Sequence, residues 1–227
     1  MKDRSSLIVS VSNINDLEKI TKETKYINID ITNPNREIIA YFLKHGASYM
    51  YSDLIVSTTG YNYVSYDDFI KAENIIDAIE LGIPNNLNDI ELARYLYINI
   101  GRYLSLDIDT DQNKTETYNL SLINMANNLW GRLSLGTVTD ISTSKIYYYL
   151  CRRQGIDISI VINEENKKAL TKLLINNQVL ITALYDDIPY IKCNMKTKHF
   201  ANYNDDINID KKIKYIKGNY NDYNIDK

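Results

Sequence analysis

The chain is poor in the residues that staple, ligate or punctuate a fold: of 227 residues two are cysteine, two histidine, three proline, eight glycine and one tryptophan. Cys151 and Cys193 make neither a disulfide framework nor a zinc ligand set. No window approaches the roughly 20 consecutive apolar residues of a membrane helix. Residues 1–10 are charged and lack the apolar run of a signal peptide. Acids and bases are interspersed to a net charge of -3, so no basic block marks a nucleic-acid groove and no polybasic helix marks a membrane surface. No residue pattern calls for a metal or another cofactor. These absences predict a soluble protein of the reducing cytoplasm, with export by a dedicated machine left open. The partner expected is a protein or peptide, not nucleic acid and not a membrane; the oligomeric state stays unknown.

What is present is ordinary in amount and unusual in kind. A hydrophobic fraction of 44% suffices for one large domain or two small ones, with a core that needs no staples. Tyrosine numbers 20 against three Phe. With abundant Asn, Ile and Lys this fits the bias of AT-rich coding sequence. The functional alternative is a tyrosine-rich contact surface, since the ring offers large amphipathic area.

Periodicity sorts residues 1–84 into a small α/β unit. Residues 7–11 and the alternating run 26–31 read as strands, 15–20 begins a short helix, and Thr32-Asn-Pro-Asn35 is a turn. A helix from Arg36 stops at Gly46, and 48–58 is extended again. Glu37 to Ala47 resembles the second helix of an ankyrin repeat, but no second copy recurs at a period near ~33 residues. A boundary falls near Leu81-Gly-Ile-Pro-Asn-Asn86, leaving a second domain at 85–227. There Asn88 and Glu91 form a capping box for a helix reaching 106, with Leu92, Leu96, Ile100 and Tyr103 on its apolar face. Residues 107–117 read as a loop, and 118–129 as a helix ending at Trp130-Gly131. Further on, 156–162 is a strand, 164–175 a polar helix, 178–184 a strand, 185–189 a turn and 190–195 a hairpin partner. The polar tail from Asn202, strand-like only at 213–218, is expected to be poorly held.

The most telling stretch lies between, at Gly136-Thr-Val-Thr-Asp140-Ile-Ser-Thr-Ser-Lys-Ile-Tyr-Tyr-Tyr-Leu-Cys-Arg-Arg-Gln-Gly155-Ile. It reads as a loop, a capped helix, a glycine stop and a buried strand. The unpaired N–H groups and positive dipole end of a helix N-terminus depress a thiol pKa, and they suit a carboxylate equally well. Asp140 is accordingly predicted to be the N-cap of a helix beginning at Ile141. Cys151 lies too far along that helix to feel its N-terminus, and Cys193 falls in a predicted strand; both read as structural thiols. Lys145, Arg152 and Arg153 either hold an anion or complement the C-terminal half of the helix. Tyr147, Tyr148 and Tyr149 cannot all face inward, and Tyr95, Tyr97 and Tyr103 raise the same question.

Two motifs carry a resemblance. The first is Ala93-Arg-Tyr-Leu-Tyr-Ile-Asn-Ile-Gly101-Arg-Tyr-Leu-Ser-Leu-Asp107; the second is Val138-Thr-Asp140-Ile-Ser-Thr-Ser-Lys-Ile-Tyr, ending in Gln154-Gly155-Ile156. Residues 89–161, about a third of the chain, resemble a bacterial transglutaminase-like (papain-like) cysteine peptidase family. The resemblance implies a transglutaminase-like domain at 85–227. It puts Asp140 where the family has its catalytic cysteine and leaves His199 as the catalytic histidine, with Asp205, Asp206 and Asp210 as candidates for the residue that orients it. The fold class expected is α/β or α+β. The function expected is that of a non-catalytic relative, a pseudoenzyme that binds protein or peptide. Two alternatives stand beside it: an active hydrolase or acyl transferase using Asp140 or a displaced cysteine with His199, and an unrelated structural interaction protein.

Overall fold

The computed structural model describes residues 8–11, 15–16, 26–29, 36–45, 50–51, 64–106, 128–162 and 168–202. In chain order the elements begin β1 (Ile8–Val11), β2 (Tyr26–Ile29), α1 (Arg36–His45), β3 (Met50–Tyr51), α2 (Tyr66–Leu81), α3 (Asp89–Tyr103) and β4 (Ser105–Leu106). They continue with α4 (Leu129–Leu135), β5 (Thr137–Val138), α5 (Asp140–Arg153), β6 (Ile158–Ile162), β7 (Ala169–Ile175), β8 (Gln178–Thr182), α6 (Leu184–Lys192) and β9 (Ala201–Asn202). This mixture of helices and strands is of the expected α/β or α+β kind. Among the described residues no helix is long and apolar enough to cross a membrane. The chain divides into two units: Met1–Asn74 with Lys114–Leu135, and Ile75–Asn113 with Gly136–Lys227.

In the first unit β1, β2 and β3 form a parallel sheet in that order, with Ile8 opposite Tyr26 and Ile27 opposite Met50. Parallel neighbours need a crossover, and α1 supplies it between β2 and β3. Its Ile38, Ile39 and Leu43 are buried. The expected turn at 32–35 and the stop at Gly46 lie outside the described residues, as does the helix at 15–20 beyond Asn15 and Asp16. Ser65 starts α2: its Oγ accepts the Asp68 N–H at 3.0 Å and donates to the Asp68 carboxylate at 2.7 Å. Asp68 also accepts from Ser134 Oγ at 2.8 Å. Trp130 packs on Phe69 at 5.5 Å between ring centroids and donates Nε1–H to buried Glu73 at 2.8 Å. The expectation that a helix ends at Trp130-Gly131 is corrected, because Asn128 Oδ1 accepts the Gly131 N–H at 3.1 Å and so opens α4 there.

The second unit holds an antiparallel sheet, β6-β7-β8-β9, and the helices α3, α5 and α6. Asn88 caps α3 as expected: its Oδ1 accepts from Ile90 and Glu91, and Glu91 answers on the Asn88 N–H at 3.0 Å. The helix stops at Tyr103 instead of 106, because Ser105 and Leu106 pair in parallel with Thr137 and Val138. Leu96 and Ile100 face the core, whereas Tyr103 is exposed. At Gly101 a β-carbon would come within 2.5 Å of Ile191 Cδ1, so α3 and α6 approach closely there. The polar helix expected at 164–175 is corrected where it can be seen: 169–175 is the strand β7, with Ala169, Thr171, Leu173 and Ile175 inward and Lys172 and Leu174 outward. A two-residue turn joins it to β8, with Asn176 and Asn177 both at positive φ (51 and 62). The turn and hairpin expected over 185–195 are likewise replaced by α6, which buries Leu184, Asp187, Ile188 and Ile191. The expectations for 107–117, most of 118–129, and the tail beyond 202 lie outside the described residues.

Candidate functional site

The start of α5 is built by Thr139, not by Asp140. Thr139 has extended backbone; its Oγ1 accepts the Ser142 N–H at 3.4 Å, and its N–H donates to Ser142 Oγ at 2.9 Å. That is a capping box closed by serine. The expectation of an Asp140 cap is corrected: Asp140 is the first residue inside the helix, and its carboxylate is engaged elsewhere. Oδ1 accepts the Ile141 N–H at 2.7 Å and Oδ2 accepts the Ala169 N–H at 3.0 Å. Ser144 Oγ, one turn on, donates to the Ala169 carbonyl at 3.0 Å. Both backbone groups of Ala169 are thereby held by α5, which ties the first residue of β7 to the helix start. A carboxylate in a first turn also complements the helix dipole.

His199 stands on the stretch that leads into β9, its side chain 43% exposed. Its Nδ1–H donates to Asp187 Oδ1 at 2.9 Å. Asp187, on the first turn of α6, has no solvent exposure. The other donors to it are the Lys198 N–H at 2.9 Å, the His199 N–H at 2.9 Å and Tyr97 Oη at 2.8 Å. Burial, with Asp187 alongside, pushes the Tyr97 phenol well above its ordinary pKa, so it remains a donor. Tyr97 packs edge-on against Phe200, and the buried Arg94 guanidinium lies 5.1 Å from the Phe200 ring centre. Aromatic and cationic neighbours thus fix the residue that follows the histidine.

Asp140 and His199 share no hydrogen bond or ion pair. The described links between them run through Ala169, whose neighbour Lys168 donates to Asp186 at 2.6 Å, and Asp186 adjoins Asp187. Asp205, Asp206 and Asp210 lie outside the described residues, and the partner of His199 is Asp187, within the expected turn at 185–189. A signal for it existed: Leu184, Ile188 and Ile191 repeat at helical spacing around a pair of aspartates suited to a first turn. Pro189 masked it.

No family model and no curated protein matches the chain. The chemistry is therefore read from the groups present. In its neutral form, an imidazole that gives Nδ1–H to this carboxylate carries its lone pair on Nε2, the arrangement of a general base. A thiolate to go with it is missing. Cys151 is fully buried and burial pushes its thiol far up. Cys193, expected in a strand, is exposed at the C-terminal end of α6, away from any helix N-terminus. Arg153 is bound to Glu80 at 2.7 and 2.8 Å and to Asp77 at 3.3 Å, and Arg152 to Asp157 at 3.5 Å. Burial lowers the Lys145 pKa. Among the described residues no group of three or more His, Cys, Asp and Glu side chains could hold a metal ion.

Proposed function

We propose that the second unit is a non-catalytic relative of the transglutaminase-like cysteine peptidases and works by binding protein or peptide. One observation carries this reading. At the helix start where the resemblance puts the thiolate, a carboxylate stands instead, and both of its oxygens accept backbone N–H groups. A nucleophile needs a lone pair aimed at substrate. Here the position ties helix to sheet, while His199 keeps a carboxylate partner in Asp187. Incubation with a peptide mixture, followed by mass spectrometry, is expected to yield no cleavage or transfer products. Turnover that disappears in Cys193→Ser or Cys151→Ser would overturn the reading.

The His199–Asp187 pair favours one competitor, a hydrolase that uses Asp140 as nucleophile. Asp140→Cys separates the two. In the non-catalytic reading the new thiol sits at the positive end of α5 and alkylates with iodoacetamide at neutral pH faster than Cys151 or Cys193. His199→Ala slows that reaction if the histidine still serves the position. If Asp140 is the working nucleophile, the parent hydrolyses substrate and Asp140→Asn abolishes it.

A further inference from the structure

We propose that the second unit binds an acidic peptide segment along a surface running from a groove between α2 and α3 to Lys198. The proposal rests on the peptide-binding reading above and names the class of partner.

The groove, about 420 Å³, is lined by Ile75, Ala78 and Ile79 of α2 and by Tyr95, Asn99, Arg102 and Tyr103 of α3. Its floor is fixed, since Tyr95 Oη donates to the Ile79 carbonyl at 3.0 Å and Asn99 Nδ2 donates to the Tyr95 carbonyl at 3.0 Å. One end is cationic. Arg102 Nη2 donates to Asn194 Oδ1 at 3.2 Å, in the turn that follows α6. Lys192, at the end of α6, donates to Ser105 Oγ at 2.8 Å, and Lys198 donates to Tyr190 Oη at 2.7 Å with its ammonium 4.3 Å above that ring. Groove and lysines are therefore joined at the contact between the end of α3 and the end of α6.

The partners of these lysines decide the sign of the occupant. A hydroxyl and a phenol position Lys192 and Lys198 without neutralising them, and neither makes an ion pair among the described residues. No acidic residue occurs in 100–106 or 189–202. The acids of α2 nearest the groove, Asp77 and Glu80, are bound to Arg153. A chain of net charge -3 thus presents a locally cationic strip, with exposed Met195 and Tyr103 beside it. A partner placing an apolar side chain in the groove and carboxylates on the strip satisfies both parts.

The test uses the full chain and a fluorescein-labelled peptide of alternating Glu and Leu, read by fluorescence anisotropy. Saturable binding is expected, weakening as salt is raised. The Lys192→Glu/Lys198→Glu double variant should bind about tenfold more weakly or worse, with an unchanged thermal melt because both side chains are exposed. Ala78→Trp, which fills the groove without adding charge, should weaken binding without touching the strip. A Lys-Leu peptide should not bind. No binding of the acidic peptide, or equal binding by the double variant, overturns the proposal. So does preferential binding of single-stranded oligothymidylate or of phosphatidylserine vesicles lost in the double variant, since the strip would then serve another polyanion. A protein that cleaves peptides yet binds the probe through Lys192 and Lys198 sinks the non-catalytic reading and leaves this one standing. A catalytically silent protein indifferent to the probe does the reverse.

Discussion

A carboxyl group with no solvent exposure persists only where donors surround it, and the donors to Asp187 come from a distant helix, from two consecutive backbone amides and from an imidazole. The cost of removing each follows from what is left behind. Tyr97→Phe keeps the packing and deletes one donor to a buried acceptor, a loss of about 1–3 kcal/mol. Asp187→Ala strands the phenol and both amides and should cost about 3–5 kcal/mol. His199→Ala leaves the amide bonds intact, and with a side chain 43% exposed it should cost least. Urea melts of the three variants give the order; a Tyr97→Phe curve that coincides with the parent would show that the phenol bond contributes nothing. At the start of α5, Thr139→Ala should cost about 0.5–2 kcal/mol, as befits the residue that caps. The sequence pointed to Asp140 because an aspartate ahead of a helical run is a good cap. It could not reveal that Ala169, far along the chain, draws that carboxylate away from capping. His199 was legible by scarcity, being one of two histidines, whereas Asp187 was hidden among many acids.

Elements were legible where a local stop signal agreed with the hydrophobic period. The end of α5 is the plainest: Gly155 at φ 75 donates to Arg152 and Ile156 donates to Cys151, the paired bonds of a Schellman motif that only glycine enters without strain. The α3 capping box is as local, and it too was legible. Beyond residue 163 the local signals conflict. Ala169 to Ile175 contains runs that suit a helix face as well as a strand, and the deciding mark was the Asn176-Asn177 pair, a hairpin turn without glycine. In α6 the conflict ran the other way, since Pro189 reads as a break while burial of Leu184, Ile188 and Ile191 against α3 and α5 outweighs it. Tertiary packing, which no local pattern encodes, settled both cases. The α3–α6 contact can be tested directly. Gly101→Val pushes a branched side chain into Ile191 and Leu184 and should lower stability by about 1–3 kcal/mol in a thermal melt. An unchanged melting temperature would mean that the helices separate at no cost.

Across the whole chain the tyrosine excess acquires a physical consequence. Tyr95, Tyr97, Tyr147 and Tyr149 are core residues, Tyr148 is half-buried and Tyr103 exposed, so most of these rings pack inside instead of forming a contact surface. Burying a phenol or a thiol penalises its anion. Tyr97 and Tyr147 are raised well above 10.0, and Cys151 far above 9.0, each chiefly by desolvation. In the unfolded chain the thiol ionises near 9 and the phenols near 10, while in the fold all three keep their protons. Above those values the unfolded state binds fewer protons than the folded one, so stability falls as pH rises. The stabilisation is complete below about pH 9 and declines with a slope approaching about 1.4 kcal/mol per pH unit for each group. Other alkaline losses, such as deprotonation of paired lysines, add to the total, so the informative quantity is the change in slope. Urea melts between pH 8 and about pH 11 should give a steep decline for the parent. Tyr97→Phe and Tyr147→Phe should each flatten it above pH 10, and Cys151→Ala should flatten it from pH 9. Each variant starts from a lower stability, because a hydrogen bond or core volume is lost, yet its curve should converge on that of the parent at high pH. A variant whose curve stays parallel to the parent would show that the substituted group ionises equally in the folded state, and that its burial exacts nothing from the anion.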